Sequence, residues 1–192
     1  MLHYSALKTG VAYIGLTLTI IAFSAVAQAL VTRIGVRPVL SAGLALSTVA
    51  LVLFARLPVD GHYFTDLFPA FIISGLGLAL AFVPMSIGAL TGVRQADAGI
   101  ASGLINTTQQ IGGAIGVALA TTIATTFTTR YVDSHAGTNA FSGAALTDGF
   151  QMAFYVLAAL AGLGAVLAAL MIESKPEVEL APEAALELEA AA

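Results

Sequence analysis

The chain has 192 residues, 58% of them hydrophobic and 9% charged, with a mean hydropathy of +0.95. Soluble domains carry about 25% charged residues, so these charges cannot cover a water-facing surface, which excludes an ordinary soluble enzyme and a disordered chain. Seven Lys/Arg cannot build a nucleic-acid surface, and without cysteine there is neither a disulfide nor a thiolate metal site.

Charges come in clumps separated by charge-free windows at 9–32, 38–55, 67–93, 98–129 and 149–172. A hydrocarbon core about 30 Å thick takes about 20 apolar residues of helix. Backbone groups in lipid must be paired within their own segment, so spans are helical, and nothing here alternates as a membrane β-barrel strand does. The fold expected is therefore an all-α membrane protein with five transmembrane helices at about 10–32, 36–56, 67–92, 98–127 and 150–172. The first apolar run is too long for a cleaved signal segment.

The first span carries a lone amide, Gln28, expected to be packed. Arg33-Ile34-Gly35-Val36-Arg37-Pro38 is a tight turn into the second span, and residues 58–62 form a polar turn into the third. The third span contains Gly75, Gly77 and, deeper, Pro84, which removes one helix hydrogen bond and predicts a kink. That kink fits either a hinge or cavity on a substrate path or a static accommodation of neighbours. Residues 130–148 read as a longer Gly/Ser/Thr/Asn-rich loop, with His62 and His135 as solvated loop histidines, like His3 near the start. Residues 173–192 hold six Glu against Lys175 and read as an acidic tail. Tyr4 and Tyr13 suit an interface, but with no Trp the aromatic belt looks thin.

The fourth span is the most informative. At 100° per residue, Gly99, Ser102, Gly103, Asn106, Gln109, Gln110, Gly113, Gly116 and Ala120 share a sector of roughly 140°, with Ile100, Leu104, Ile111 and Ile115 opposite. The bulky face suits lipid. The small face suits close helix packing through Gly99, Gly103, Gly112, Gly113 and Gly116. Equally, three amides facing hydrocarbon unpaired would each cost several kcal/mol, so Asn106, Gln109, Gln110 and Ser102 are candidates for a water-filled substrate path. The two readings are compatible. No titratable residue lies deep in any window, so no intramembrane proton carboxylate is visible. No catalytic motif, metal cluster or cofactor signature is present, and no cofactor is expected.

The segment Ala98-Gly-Ile-Ala-Ser-Gly-Leu-Ile-Asn-Thr-Thr-Gln-Gln-Ile-Gly-Gly-Ala-Ile-Gly116 resembles the penultimate helix of the fourteen-helix drug:proton antiporters of the major facilitator superfamily. Gly75-Leu-Gly-Leu-Ala-Leu-Ala-Phe-Val-Pro84 is similar to the helix before it. Arg33, Gly35 and Arg37 resemble that superfamily's D-R-x-G-x-R cytoplasmic turn, with Thr32 in place of its Asp. The resemblance implies the last five helices of a six-helix C-terminal bundle, in which the third span lines the cavity, the first and fourth pack toward the N-terminal bundle, and the second and fifth face lipid. It implies a cell-membrane protein with a cytoplasmic C-terminus, a side that Arg33, Arg37, Arg94 and Lys175 favour over Lys8, Arg56 and Arg130. It also implies small amphipathic organic substrates and protons as partners in the complete transporter, and a missing N-terminal half without which the chain is not active. The alternative reading is a non-transporting membrane subunit that packs on a partner through its fourth helix.

Overall fold

A computed structural model describes residues 6–59 and 62–172. Five helices follow one another: α1 (Ala6–Ile34), α2 (Val36–Ala55), α3 (Phe68–Leu90), α4 (Ala98–Ser134) and α5 (Gly143–Met171). A π-helical turn (Tyr63–Leu67) leads into α3 and a 3-10 turn (Gln95–Asp97) into α4, and no strand occurs among the described residues. All five are long and apolar enough to cross a bilayer. The acidic tail at 173–192, together with Tyr4 and His3, lies outside the described residues.

The helices outrun the charge-free windows. α4 continues through Arg130 to Ser134 and α5 starts at Gly143, so the loop expected over 130–148 contracts to eight residues. The cause is local: Thr125, Thr126 and Thr129 return their hydroxyls to carbonyls one turn back, so a threonine-rich segment satisfies its own polar groups and stays helical. Ser142 then caps α5, its hydroxyl accepting from Ala145 N–H at 3.3 Å. At the other end of the bundle, Gly35 separates α1 from α2 with φ 86°, a left-handed conformation that L side chains resist, while its N–H donates to the Val31 carbonyl at 2.8 Å.

Packing is sequential in space: α1 lies on α3, α3 on α2, α2 on α5 and α5 on α4, with a minor contact from α3 to α4. Small residues set the spacing. A Cβ on Gly43 would meet the Leu80–Ala81 peptide of α3, with Ala81 N only 2.6 Å away. A Cβ on Gly77 would lie 2.6 Å from Ser47 Oγ of α2, and one on Gly75 would lie 2.9 Å from the Leu16 carbonyl of α1. Gly149 of α5 abuts Thr128 and the Ala124 carbonyl of α4 in the same way.

Two clusters close the ends. Ala27, Val31, Val39 and Leu80 form an aliphatic core beside the Gly35 turn. At the opposite end, Phe71 of α3 stacks with Tyr13 of α1 at 5.2 Å and Phe54 of α2 at 5.7 Å, and Phe54 meets Phe154 of α5 at 5.7 Å. Four helices are thus joined by one chain of rings, where the sequence suggested only a thin belt. Large apolar side chains stay exposed along α1, α4 and α5, as lipid-facing surface requires.

Candidate functional site

The candidate site is the N-terminal half of α4. Asp97 precedes the helix and holds Arg94 at 2.7 Å, an exposed pair that ties off the preceding turn. Beyond it, Ala101, Ile105, Gln109, Gly116 and Ala120 of α4 are half-buried, and the helix becomes buried only at Ala124 and Thr128, which lie against Gly149 of α5. The rest of its surface is open. Ile100 is 76% exposed and Leu104 67% exposed on the bulky side. Ser102, Gly103, Asn106, Gln110 and Gly113 form an exposed stripe on the small side.

That geometry divides the predicted sector. Gln109 is half-buried, whereas Ser102, Asn106 and Gln110 remain together on the open face. Thr107 and Thr108 bond to the Gly103 and Leu104 carbonyls at 2.8 Å, so their hydroxyls are spent within the helix. The amides of Asn106, Gln109 and Gln110 make no side-chain hydrogen bond among the described residues. An unpaired amide in hydrocarbon costs several kcal/mol, so this stripe requires water or a polar partner.

The packing role expected of Gly99, Gly103, Gly112, Gly113 and Gly116 is not met within this chain: a Cβ at any of the five would find nothing within 4 Å. The glycines in close contact are instead Gly43, Gly75, Gly77 and Gly149. Pro84 also needs correcting as a path residue, because it is the largest fully buried side chain and faces no open surface. It sits inside α3, which continues as one helix to Leu90. The carbonyl that Pro84 leaves without its usual donor is that of Leu80, which lies against Gly43 of α2. Gln28, expected to be packed, is exposed on α1.

In the turn between α1 and α2, Arg33 is exposed and Arg37 half-buried. Thr32 donates its hydroxyl to the Ala29 carbonyl at 2.9 Å, so the residue at the Asp position serves its own helix. His62 and His135 are exposed, and His135 stacks on Tyr131 at 4.2 Å. Among the described residues no cluster of His, Asp or Glu is fit to hold a metal, and charged residues stand near helix ends.

Five apolar helices, packed through glycines and leaving an amide stripe open on α4, match the Major Facilitator Superfamily over residues 1–191. The chain belongs to that superfamily. This facilitator chain is 34% identical over 180 residues to puromycin resistance protein pur8 of Streptomyces alboniger, covering 92% of the chain and 36% of the relative. It is 36% identical over 110 residues to a lincomycin resistance protein of Streptomyces lincolnensis, covering 57% of the chain and 23% of the relative. It is 30% identical over 115 residues to cephamycin export protein CmcT of Amycolatopsis lactamdurans, covering 59% of the chain and 24% of the relative. The facilitator chain thus spans about a third of the first relative and about a quarter of the others. It is a multi-pass membrane protein of a transporter superfamily whose similar members are resistance and export proteins.

Proposed function

We propose that this chain is the C-terminal part of a drug-efflux transporter of the fourteen-helix type, which expels small amphipathic organic compounds in exchange for protons. Residues 1–172 form the membrane bundle in the cell membrane, and 173–192 form an acidic tail on the cytoplasmic side with the Arg33–Arg37 turn. The chain transports only with the N-terminal half that completes the cavity, and it catalyses no covalent chemistry. Relatives concerned with puromycin and lincomycin resistance and with cephamycin export support the substrate class.

The observation that carries the reading is the open face of α4. Ser102, Asn106 and Gln110 line one wall of a water-filled path, and the neighbouring glycines leave room for a facing helix to approach. Gln109, half-buried beside them, braces that wall. The proton-carrying group lies in the other half, since this piece offers no carboxylate at mid-membrane depth. The test replaces Asn106 and Gln110 together by Leu in the complete transporter. Efflux of a fluorescent substrate from intact cells is expected to fall to the level of cells without the transporter, at unchanged membrane yield. Unaltered efflux would remove the two amides from the path.

A further inference from the structure

The aromatic end of the bundle holds a half-open hollow of about 300 Å³ where α2 ends and where α3 and α5 begin. Its walls include the rings of Phe54, Phe150 and Phe154. Its polar lining comes from Asp66, Gln151 and Thr147, with His62 among the residues around it. Among the described residues Asp66 is the only carboxylate in this lining, and no Lys or Arg contributes to it.

Two facts specify what such a hollow accepts. The first is charge and acceptor geometry. Asp66 is half-buried, and its Oδ2 accepts the His62 N–H at 2.7 Å. Its other oxygen, the Gln151 amide and the Thr147 hydroxyl make no hydrogen bond among the described residues. Three acceptor groups in one pocket suit an ammonium with three donors, and flanking rings stabilise a cation through their faces. The second is depth. Phe54 is one residue from the end of α2, and Asp66 precedes α3 in the π-helical turn. The hollow therefore sits at headgroup level, whereas transporter substrate sites lie near the bilayer midplane. Arg56, in the turn beside Leu57 of the same wall, is exposed and forms no ion pair among the described residues.

We propose that this hollow binds the headgroup of a primary-amine phospholipid of the phosphatidylethanolamine type. The ammonium enters between the rings and bonds to Asp66, Gln151 and Thr147. The phosphate stays at the rim on the Arg56 side, so one zwitterion satisfies an interior acid and an exterior base. The aromatic cluster behind the pocket keeps the α2, α3 and α5 ends together and holds its walls in place. This inference goes beyond the transport reading and does not depend on it, since it concerns neither α4 nor efflux.

The test is native mass spectrometry of the full chain released from detergent. Equimolar phosphatidylethanolamine, phosphatidylcholine and phosphatidylglycerol with matched acyl chains compete for it. The ethanolamine lipid is expected to be retained over the glycerol lipid by about tenfold, the scale of one hydrogen bond to a charged group, with the choline lipid well below it because a quaternary nitrogen donates no hydrogen bond. Asp66→Asn keeps an oxygen to accept the His62 N–H but removes the charge, and is expected to bring the three lipids within about twofold of one another. Equal retention of the three lipids by the parent chain would overturn the proposal, as would an unchanged preference in Asp66→Asn. Choline lipid matching ethanolamine lipid would defeat the primary-amine assignment. Displacement of the lipid by equimolar 2-phenylethylamine would transfer the site to free amines and sink the lipid reading.

Discussion

Gly43 is the position where one methyl group should do most damage. The Cβ of an alanine there would stand 2.6 Å from Ala81 N and from the Leu80 carbonyl oxygen of α3. Ordinary contact begins near 3.4 Å, and both neighbours are backbone, so no rotamer relieves the clash. α2 and α3 must part locally by about 0.8 Å, and a gap of that size forfeits a quarter to a half of each dispersion contact along the seam. The most extensive interface in the bundle would carry that loss. Overpacking costs about 1–3 kcal/mol, and a backbone clash belongs at the upper end. Alanine's better helix propensity returns about 1 kcal/mol, leaving a net loss of about 2 kcal/mol, or roughly a 30-fold shift toward unfolded protein. The assay is unfolding of the purified chain in mixed micelles with rising sodium dodecyl sulfate, followed by circular dichroism. Gly99→Ala and Gly103→Ala are the controls, since their Cβ atoms meet open space, and both are expected to unfold at or above the parent's midpoint. A Gly43→Ala midpoint equal to the controls would refute the reasoning that backbone approach at Gly43 sets the α2–α3 spacing.

Two further outcomes follow from the same structure. Phe71→Ala removes ring contacts to Tyr13, Phe54 and Tyr63. At about 0.5–1.5 kcal/mol per aromatic pair the same unfolding assay should register a loss of about 3 kcal/mol, whereas Phe64→Ala, with its ring 76% exposed, should cost much less. Gly35→Ala places an L side chain at φ 86°, which should lower stability by about 1–2 kcal/mol; an unchanged midpoint would mean that the turn relaxes to another conformation.

The architecture was legible because lipid imposes one rule on every residue: charge must stay out of the middle. Five charge-free windows therefore became five helices. What the windows could not mark was where each helix stops, because Thr125, Thr126 and Thr129 satisfy themselves by local bonds and let α4 run past Arg130. Within the site, the wheel correctly grouped Ser102, Asn106 and Gln110, since periodicity alone decides which residues of a helix share a face. It could not decide which part of that sector is covered, and so it left half-buried Gln109 with the others. The glycines show the same limit more sharply. Gly112 and Gly116 have the spacing of a packing motif yet a Cβ on either would meet nothing within 4 Å, while isolated Gly43 and Gly149 hold the closest contacts. Spacing records that a backbone can be approached, and only the tertiary partner determines whether it is. The ring cluster was hidden for a related reason: Tyr13, Phe54, Phe71 and Phe154 lie on four different helices and have no shared period.

The arrangement of α4 also has a consequence in time. Its one broad contact is with α5, the helix synthesised after it. Met171 ends α5 and Ser134 ends α4, 37 residues apart, so at about 5–20 residues per second the ribosome needs roughly 2–7 s to complete the partner. For that interval α4 has been made but lacks its principal neighbour, and its amides must be sheltered by water, by the insertion machinery or by helices made earlier. The helix with the most open polar surface is thus left without its principal partner until α5 is made, and its retention during synthesis is a step on which the yield of the whole bundle depends.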